Sequence, residues 1–498
     1  MQPIDIMGKI VSLCKRRGFV FQSSEIYGGL KSCYDYGPLG VELKRNIAQQ
    51  WWRSMVHQRD DMVGIDASIM MHSKVWEASG HLQNFVDPLV DCLNCQNRFR
   101  ADKAPKIASE TMVEFRKGGK ASGEKLTAPV GEGGYVCPQC NSPLLSPERM
   151  FRGMFRTVMG PIDPLQEVME TLDVEKLSRK ELYKEIDEAL TRASVFLRPE
   201  TAQAMFVQFL NVQQTASMKV PFGIAQQGKS FRNEIIVEHF IFRSCEFEQM
   251  EMEFFCEPGT QKEWLAYWAE ERLAWHRQFS NSPEKYRLRQ HTGKELAHYS
   301  DDCYDIEFLY PWGWDELEGI ASRTDYDLKK HAAHSGVKLS YLDQQKPDPE
   351  TGKLGWRYTP YVVEPALGLT RTFLSIMVDA YREETVEGKE RMYLKLHPRL
   401  APYKVAVLPL VKKDGQPEMA KKLVQAFRSR DIHVTYEEQQ SIGKRYAKQD
   451  EIGTPFCVTI DSDSSQDGCV TIRDRDTCQQ ERVSMEKVVE HLQQKIYR

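Results

Sequence analysis

The strictest constraint in this chain is an alternation. Residues 243–256 read RSCEFEQMEMEFFC. In a strand, side chains point to opposite faces at a period of two, so Met250, Met252, Phe254 and Cys256 form an apolar face. Arg243, Phe247, Gln249 and Glu251 share the other. The stretch just upstream, GIAQQGKSFRNE at 223–234, admits two readings. Gly223, Gly228, Lys229 and Ser230 fit the phosphate-binding pattern G-x-x-x-x-G-K-[ST]. That loop needs a buried strand before its first glycine and a helix from the Lys-Ser onward. Here KVPFG places a proline two residues before Gly223, and FRNEIIVEHFIF is aromatic and β-branched, which favours strand. IAQQ also has no further glycine to let the backbone wrap phosphates. The strand reading points Arg232 and Glu234 to one side. Two strands joined by a loop then gather arginines, an aromatic and carboxylates on one surface. A solvated charged face is the plain alternative, but it leaves Phe247 among the charges unexplained.

A chain of 498 residues exceeds one ordinary core and predicts two or three domains. With 41% hydrophobic and 28% charged residues it reads as globular, and no apolar run approaches the ~20 residues needed to span a bilayer. The N-terminal residues lack the order of a signal peptide, so a cytoplasmic setting is expected. A net charge of −4 argues against a wholly basic surface, though a local patch suffices for nucleic acid.

GVELKRNIAQQWWRSMV repeats Leu43, Ile47, Trp51 and Met55 at steps of four, with Ala48 and Trp52 beside them: an amphipathic helix. KGGKASGEKLTAPVGEGG reads as a flexible excursion, and DVEKLSRKELYKEIDEALTRA as a charged helix. Residues 196–255 read as β-like, 261–290 as helical, and DQQKPDPETGKLG as loop. After residues 398–402, a linker, the strands VAVLPLV, IHVTYEE, FCVTI and GCVTIRD alternate with the helices PEMAKKLVQAFRSR and SMEKVVEHLQQKIY. This predicts a separate small α/β domain.

Together these runs resemble the class II aminoacyl-tRNA synthetases. FRNE, a loop and Arg243-x-x-x-Phe247-x-x-x-Glu251 are similar to motif 2, and EPALGLTRTFLSIM, with Gly368 and Arg371, to motif 3. The 43–55 helix followed by MVGIDASIM resembles motif 1. YDYGPLGVELK, LRPETAQ, FEQMEMEFF and ELEGIASRTDYDL resemble the homodimeric glycyl type over nearly the whole chain. The resemblance implies an α+β fold: an antiparallel β-sheet catalytic domain flanked by helices, with a C-terminal α/β anticodon-binding domain. The expected divisions are 1–91, 92–190, 191–397 and 402–498.

It also implies glycine, ATP and tRNA(Gly) as partners, a homodimer through motif 1, and ligation of glycine to tRNA through an adenylate. Catalysis would fall to Arg232, on the α-phosphate, and Arg371, on the γ-phosphate at a helix N-terminus that already favours anions. ATP would lie along Asn233, Glu234, Phe242, Arg243, Ser244, Cys245, Glu246, Phe247, Glu316, Leu317, Gly368, Leu369 and Thr370, with Phe247 stacking on adenine. Glu316 and Glu251 are candidates to position Mg²⁺, and Arg323 is a further phosphate candidate. The glycine pocket would draw on Arg100, Glu200, Phe247, Glu248, Gln249, Met250, Glu251, Glu364, Pro365, Ala366, Leu367 and Gly368. Several features depart from the family pattern. Ala366 stands for serine, Ala204 for glycine and Arg152 for the asparagine of FNLMF. IVEHF and Cys245 replace the more typical motif 2 loop.

Cys92-x2-Cys95 and Cys137-x2-Cys140 have the spacing of a four-thiolate zinc site, structural because no open ligand position would remain. The alternative is a set of unpaired thiols in a variable insertion. SIGKRYAKQDEIGTPF resembles the anticodon-binding domain shared by several class II synthetases. Lys444, Arg445, Arg473 and Arg475 are the residues there that could meet phosphates or bases. Competing functions are a synthetase with altered small amino-acid specificity, a non-catalytic nucleic-acid-binding accessory subunit, and, weakest, a P-loop ATPase.

Overall fold

In the computed structural model, residues 5–235, 239–293, 295–297, 300–386 and 388–497 are described. A seven-stranded sheet forms the centre. Its strands are β1 (Met62–Ile65), β2 (Phe222–Phe231), β3 (Glu246–Cys256), β4 (Tyr286–Gln290), β5 (Asp302–Tyr310), β6 (Gly313–Thr324) and β7 (Tyr361–Gly368). They lie in the order β4-β5-β6-β7-β3-β2-β1, antiparallel throughout except for the β2–β1 pair. The opening ambiguity ends here. GIAQQGKSF is strand β2, and no helix follows the Lys-Ser. The alternation on β3 holds as well: Met250, Met252, Phe254 and Cys256 are all fully buried in the main core. FRNE itself runs past the end of β2. Only one more rung, Arg232 N–H to the Cys245 carbonyl at 2.9 Å, closes the base of the loop. β3 likewise starts at Glu246 rather than at Arg243.

The helices α1 (Pro38–Trp52), α2 (Ala202–Val207), α3 (Gln261–Gln278), α4 (Tyr326–Ser335) and α5 (Leu369–Ala380) flank the sheet. Leu43, Ile47, Trp51 and Met55 are buried as the four-residue period requires, and each contributes roughly 1.5–3 kcal/mol by leaving water. Trp52 is half-buried, and a π-turn at Arg53–His57 ends the helix.

Four local expectations are corrected. The region 196–255 is not all β: AQAMFV, rich in good helix formers, is α2, and Phe209–Thr215 is a second helix. Residues 261–290 end in strand β4. DQQKPDPETGKLG belongs to a hairpin of Tyr341–Pro347 with Leu354–Tyr358. The Gly-rich excursion is also a hairpin, Thr111–Arg116 with Lys125–Val130, whose Val113 and Phe115 alternate inward. In each hairpin the turn residues hide a short strand on either side.

The C-terminal unit holds β8 (Val405–Pro409), α6 (Gln416–Arg428), β9 (Val434–Tyr436), α7 (Ile442–Ile452), β10 (Phe456–Ile460), β11 (Cys469–Asp474), β12 (Gln480–Ser484) and α8 (Val488–Tyr497). Its sheet order is β9-β8-β10-β11-β12, parallel around β8 and antiparallel beyond β10. The connection at 398–402 is a packed corner rather than a loose tether. Leu400 and Ala401 are buried, and Asn46 of α1 donates its amide to both of their carbonyls at 3.0 Å.

Candidate active site

One face of β3, β7, β6 and β5 floors a cavity of about 570 Å³. Strand alternation supplies Phe247, Gln249 and Glu251 from β3, and Glu364, Ala366 and Gly368 from β7. On β6 a register shift opposite Ile306 and Glu307 interrupts the alternation. Glu316 therefore faces the cavity along with Gly319, Ala321 and Arg323. Glu318 turns to α3, where Arg272 at 2.7 Å and His276 at 2.7 Å meet it in the core. A bulge that re-aims side chains beside a cavity is a common device of such sheets.

The cationic half of the cavity is built on backbone. Arg232 donates to the Pro199 carbonyl at 3.0 Å, and its guanidinium sits 5.4 Å from the Phe247 ring and 5.8 Å from that of Phe85. Arg371, in the first turn of α5 after Gly368, donates to the Glu316 carbonyl at 3.1 Å and pairs with its carboxylate at 3.2 Å. Its guanidinium lies 4.5 Å from the Phe242 ring. The positive charge of Arg371 holds the Glu316 carboxyl below the ordinary carboxylate range. Arg232, Arg243 and Arg371 thus converge on one space.

The other half is acidic and buried. Glu251 accepts from the Thr201 N–H at 3.0 Å and from the Thr201 hydroxyl. Arg323 donates to both oxygens of Glu364 at 2.9 Å and to Asp327 at 2.8 and 3.0 Å, so it is a structural clamp in this pocket and not free for phosphate. Burial would raise Glu200, but His81 at 3.3 Å, Arg323 and Gln203 hold its carboxyl well below the usual range. Burial, with Glu364 and Glu200 nearby, pushes Glu251 well up.

Other expected residues fall outside. Glu246, Glu248 and Met250 alternate to the far face of β3: Glu246 pairs with Lys229, Glu248 with Lys44 at 2.6 Å, and Met250 is core. Pro365 and Leu367 do the same on β7, and Leu369 is core, so none of their side chains reaches the pocket. Leu317 and Thr370 line the cavity; Asn233 and Cys245 are used in backbone contacts beside it. Arg100 is engaged by Asp87 at 2.7 Å and Asp102 at 2.8 Å, off the cavity wall. Ala204 is buried on α2 and does not line the pocket, so its departure from glycine bears on packing. Arg152 is exposed; its carbonyl accepts from Asn233 at 3.4 Å. Of the variant loop IVEHF, residues 236–238 lie outside the described residues, and His239 stacks on Trp312 with ring centroids 4.0 Å apart.

Sequence reading missed His81, Thr201, Asp305 and Glu307. Asp305 and Glu307 were visible as the alternating DIEF of β5, and Thr201 stands beside Glu200 in LRPETAQ; His81 arrives from a segment with no pattern of its own.

In the insertion, the four cysteine sulfurs all lie within 4.8 Å of one another, with Cys92–Cys140 at 3.6 Å and Cys95–Cys137 at 3.7 Å. Tetrahedral zinc thiolates stand about 3.8 Å apart, so the set fits zinc. Gly119, at φ +69°, folds over the cluster so closely that a Cβ there would meet Cys95 Cβ at 2.6 Å. The Gly-rich turn is thus part of the knuckle.

The C-terminal arginines are occupied structurally. Arg445 donates to the carbonyls of Pro409, Leu410 and Glu437. Arg473 pairs with buried Asp450 at 2.8 Å, and Arg475 donates to the Gly453 and Leu396 carbonyls. Only Lys444 of the four stands exposed.

Residues 404–495 match the family described as anticodon binding domain. Over its length the chain is 49% identical to a glycine–tRNA ligase of Geobacillus thermodenitrificans, covering 98% of this chain and 97% of that one. It is 47% identical to one of Clostridium perfringens, with 97% of each covered, and 44% identical to one of Treponema denticola, with 98% and 97% covered. Likeness of this extent, on a sheet that brings three motif arginines and a buried acidic pocket into one cavity, places the chain in the glycine–tRNA ligase family.

Proposed function

We propose that this protein joins glycine to tRNA(Gly) in two steps, as a homodimeric class II synthetase. The observation that carries the reading is the meeting, in one cavity, of an arginine cradle with a buried acidic pocket. Glycine enters with its ammonium toward Glu251, Glu200 and Glu364 and its carboxylate toward Arg232. Its carboxylate oxygen attacks the α-phosphorus of ATP, a P–O bond forms, and pyrophosphate leaves with the electron pair of the broken bond. No proton has to move. The work is positioning and charge stabilisation. Arg232 takes the α-phosphate, Arg371 the γ-phosphate, and Phe247 stacks on adenine, with Arg243 steadying the bent triphosphate. Of the carboxylates expected to position Mg²⁺, Glu316 lines the cavity beside Arg371 and would hold such a hard cation, which would neutralise phosphoryl charge. The terminal ribose hydroxyl of tRNA then attacks the adenylate carbonyl, releasing AMP.

Selection of glycine rests on excluding Cβ, where one methylene is worth only ~1–3 kcal/mol. Ala366 is the wall position to watch, and relaxed small amino-acid specificity is the second reading it favours. Zinc on the four cysteines is structural in this scheme. Residues 404–495 bind the anticodon arm. The exposed apolar Ile26, Tyr27 and Leu30, close in sequence to α1, support a subunit contact there. No described helix is long and apolar enough to cross a membrane. A cytoplasmic setting and the four-part division at 1–91, 92–190, 191–397 and 402–498 belong to the same reading.

The test is amino-acid-dependent ATP–pyrophosphate exchange across all twenty amino acids, followed by charging of tRNA(Gly). Exchange with glycine alone is expected. Exchange with alanine or serine as well establishes the relaxed pocket, and exchange with none points to a non-catalytic accessory subunit.

A further inference from the structure

Outside the acidic pocket, the edge of the central sheet carries a second group of ligand-type side chains. In the β4–β5 pair, Arg289 stands opposite Asp305 and Arg287 opposite Glu307. One rung past the end of β4, the His291 N–H donates to the Cys303 carbonyl at 2.9 Å, which sets His291 across from Cys303. Cys303 and Asp305 are two residues apart on β5 and so share a face. Ligand atoms of His291, Cys303 and Asp305, one from each, lie within 4.8 Å of one another. All three residues line the cavity, Asp305 buried and the other two half-buried. The adenylate chemistry above uses none of them.

His291 Nε2 meets the Asp305 carboxylate at 2.7 Å, and the same oxygen accepts from Arg289 at 2.9 Å. The Cys303 thiol donates over a long 3.8 Å to the Tyr304 carbonyl, a weak hold for a group beside a cavity. Charge here favours a cation. Arg289 pairs with Asp305, Glu307 and Glu295, and Arg287 with Glu307 as well, so three carboxylates share two guanidinium groups. With the imidazole neutral, one negative charge is left over. A divalent ion that displaces the thiol proton brings the whole group to neutrality. A nitrogen, a sulfur and an oxygen select a borderline ion of the zinc type over Mg²⁺, which takes oxygen ligands. Zinc bonds of about 2.0–2.1 Å to nitrogen and oxygen set two such ligands roughly 3.3 Å apart in a tetrahedron. The His291–Asp305 pair needs only a small opening to admit the ion.

We propose that His291, Cys303 and Asp305 form an exchangeable zinc-type site, separate from the four cysteines of the insertion, with its fourth position open to the cavity. On loading, the thiol proton leaves to solvent and the imidazole keeps its proton on the nitrogen turned away from the ion. Water or an anionic oxygen completes the tetrahedron. Three protein ligands and an open position make a site that exchanges its ion and its fourth ligand, whereas four thiolates make a closed one. The site goes beyond the synthetase reading and does not depend on it, since every ligand belongs to this chain.

The test uses the full-length protein, with zinc and cobalt(II) as probes and Mg²⁺ in excess. Metal content is counted after equilibrium dialysis against buffered free zinc. The wild type is expected to retain one ion per chain more than Cys303→Ser, whichever state the four-cysteine cluster is in. Loss of a direct ligand should weaken the site by more than about hundredfold, since even the partners that orient a metal ligand are worth about 10–100-fold in affinity. Cobalt at this site should show the visible bands of a tetrahedral ion with a single thiolate. Those bands should vanish in Cys303→Ser and in His291→Gln, while a four-thiolate spectrum that persists shows the variants to be folded. Equal metal content in the wild type and both variants overturns the proposal, and any extra ion is then adventitious. So does a wild type whose cobalt spectrum at saturation is that of four thiolates alone, a result that needs no variant to fold. Glycine-dependent exchange, measured on the same protein, tests the activity separately.

Discussion

Arginines crowd two regions of this molecule, and they do opposite work. In the cavity, Arg232 and Arg371 are each held from behind by backbone carbonyls and an aromatic ring, while their guanidinium groups share an open space. In the C-terminal unit, Arg445 and Arg475 are 2% exposed and Arg473 8%, and their donors go to carbonyls and to the carboxylates of Asp450 and Asp476. Both groups sit in segments that resemble substrate-binding motifs. What separates them is where the donors end. An arginine aimed at a cavity is a site; one whose donors end on carbonyls such as those of Pro409, Gly453 and Leu396 is a fastener.

The comparison breaks first at Arg371. Its replacement by alanine is expected to lower glycine-dependent pyrophosphate exchange by about 10²–10³-fold, the cost of losing one preorganised charge partner. Thermal melting should hardly move, since the partner left behind, Glu316, reaches solvent. A fall in melting temperature with unchanged exchange would show Arg371 to be a fastener too. Arg475→Ala should give the mirror image. Two buried carbonyls lose their donor, at about 1–3 kcal/mol each, and denaturant unfolding should register it. Exchange per folded molecule should hold. Loss of tRNA charging without loss of stability would return Arg475 to the nucleic-acid surface.

A smaller effect is expected at the cysteine cluster, none of whose residues lines the cavity. Cys137→Ser should abolish zinc uptake by the cluster in the purified protein and raise amide hydrogen exchange in the hairpin of Thr111–Arg116 with Lys125–Val130. Pyrophosphate exchange should change by less than about tenfold, because a closed four-thiolate site leaves no position for substrate. Full metal content in the variant would remove the knuckle from the account.

How far the sequence could be read follows the same division. The alternation of RSCEFEQMEMEFF told which side chains share a face, and β3 obeys it residue by residue. Three things stayed hidden. The register shift on β6 cannot be heard in ELEG, so Glu316 and Glu318 look equivalent although one faces the cavity and the other the core. The resemblance also brought in whole runs of neighbours, such as Glu248, Met250, Pro365 and Leu367, which the pleat turns away. And the arginines of the C-terminal unit are indistinguishable by sequence from phosphate ligands, because nothing local announces that a carbonyl from another strand waits for them.

The finest test concerns a single oxygen. Ala366 faces Glu251 across the β7–β3 pair and Gly319 across β6, at the wall of the acidic pocket. Where the family pattern has serine, this chain keeps the Cβ and lacks the hydroxyl, so the packing against a substrate Cβ is nearly unchanged while one polar contact is gone. Ala366→Ser should therefore lower KM for glycine by up to about tenfold, the ~0.5–1.5 kcal/mol of a net hydrogen bond. It should change the kcat/KM ratio of glycine to alanine much less, because discrimination comes from space and not from the missing donor. A ratio that shifts more than the glycine KM would mean that the serine hydroxyl shapes the wall itself. Selectivity would then belong to the polar half of the pocket rather than to its volume.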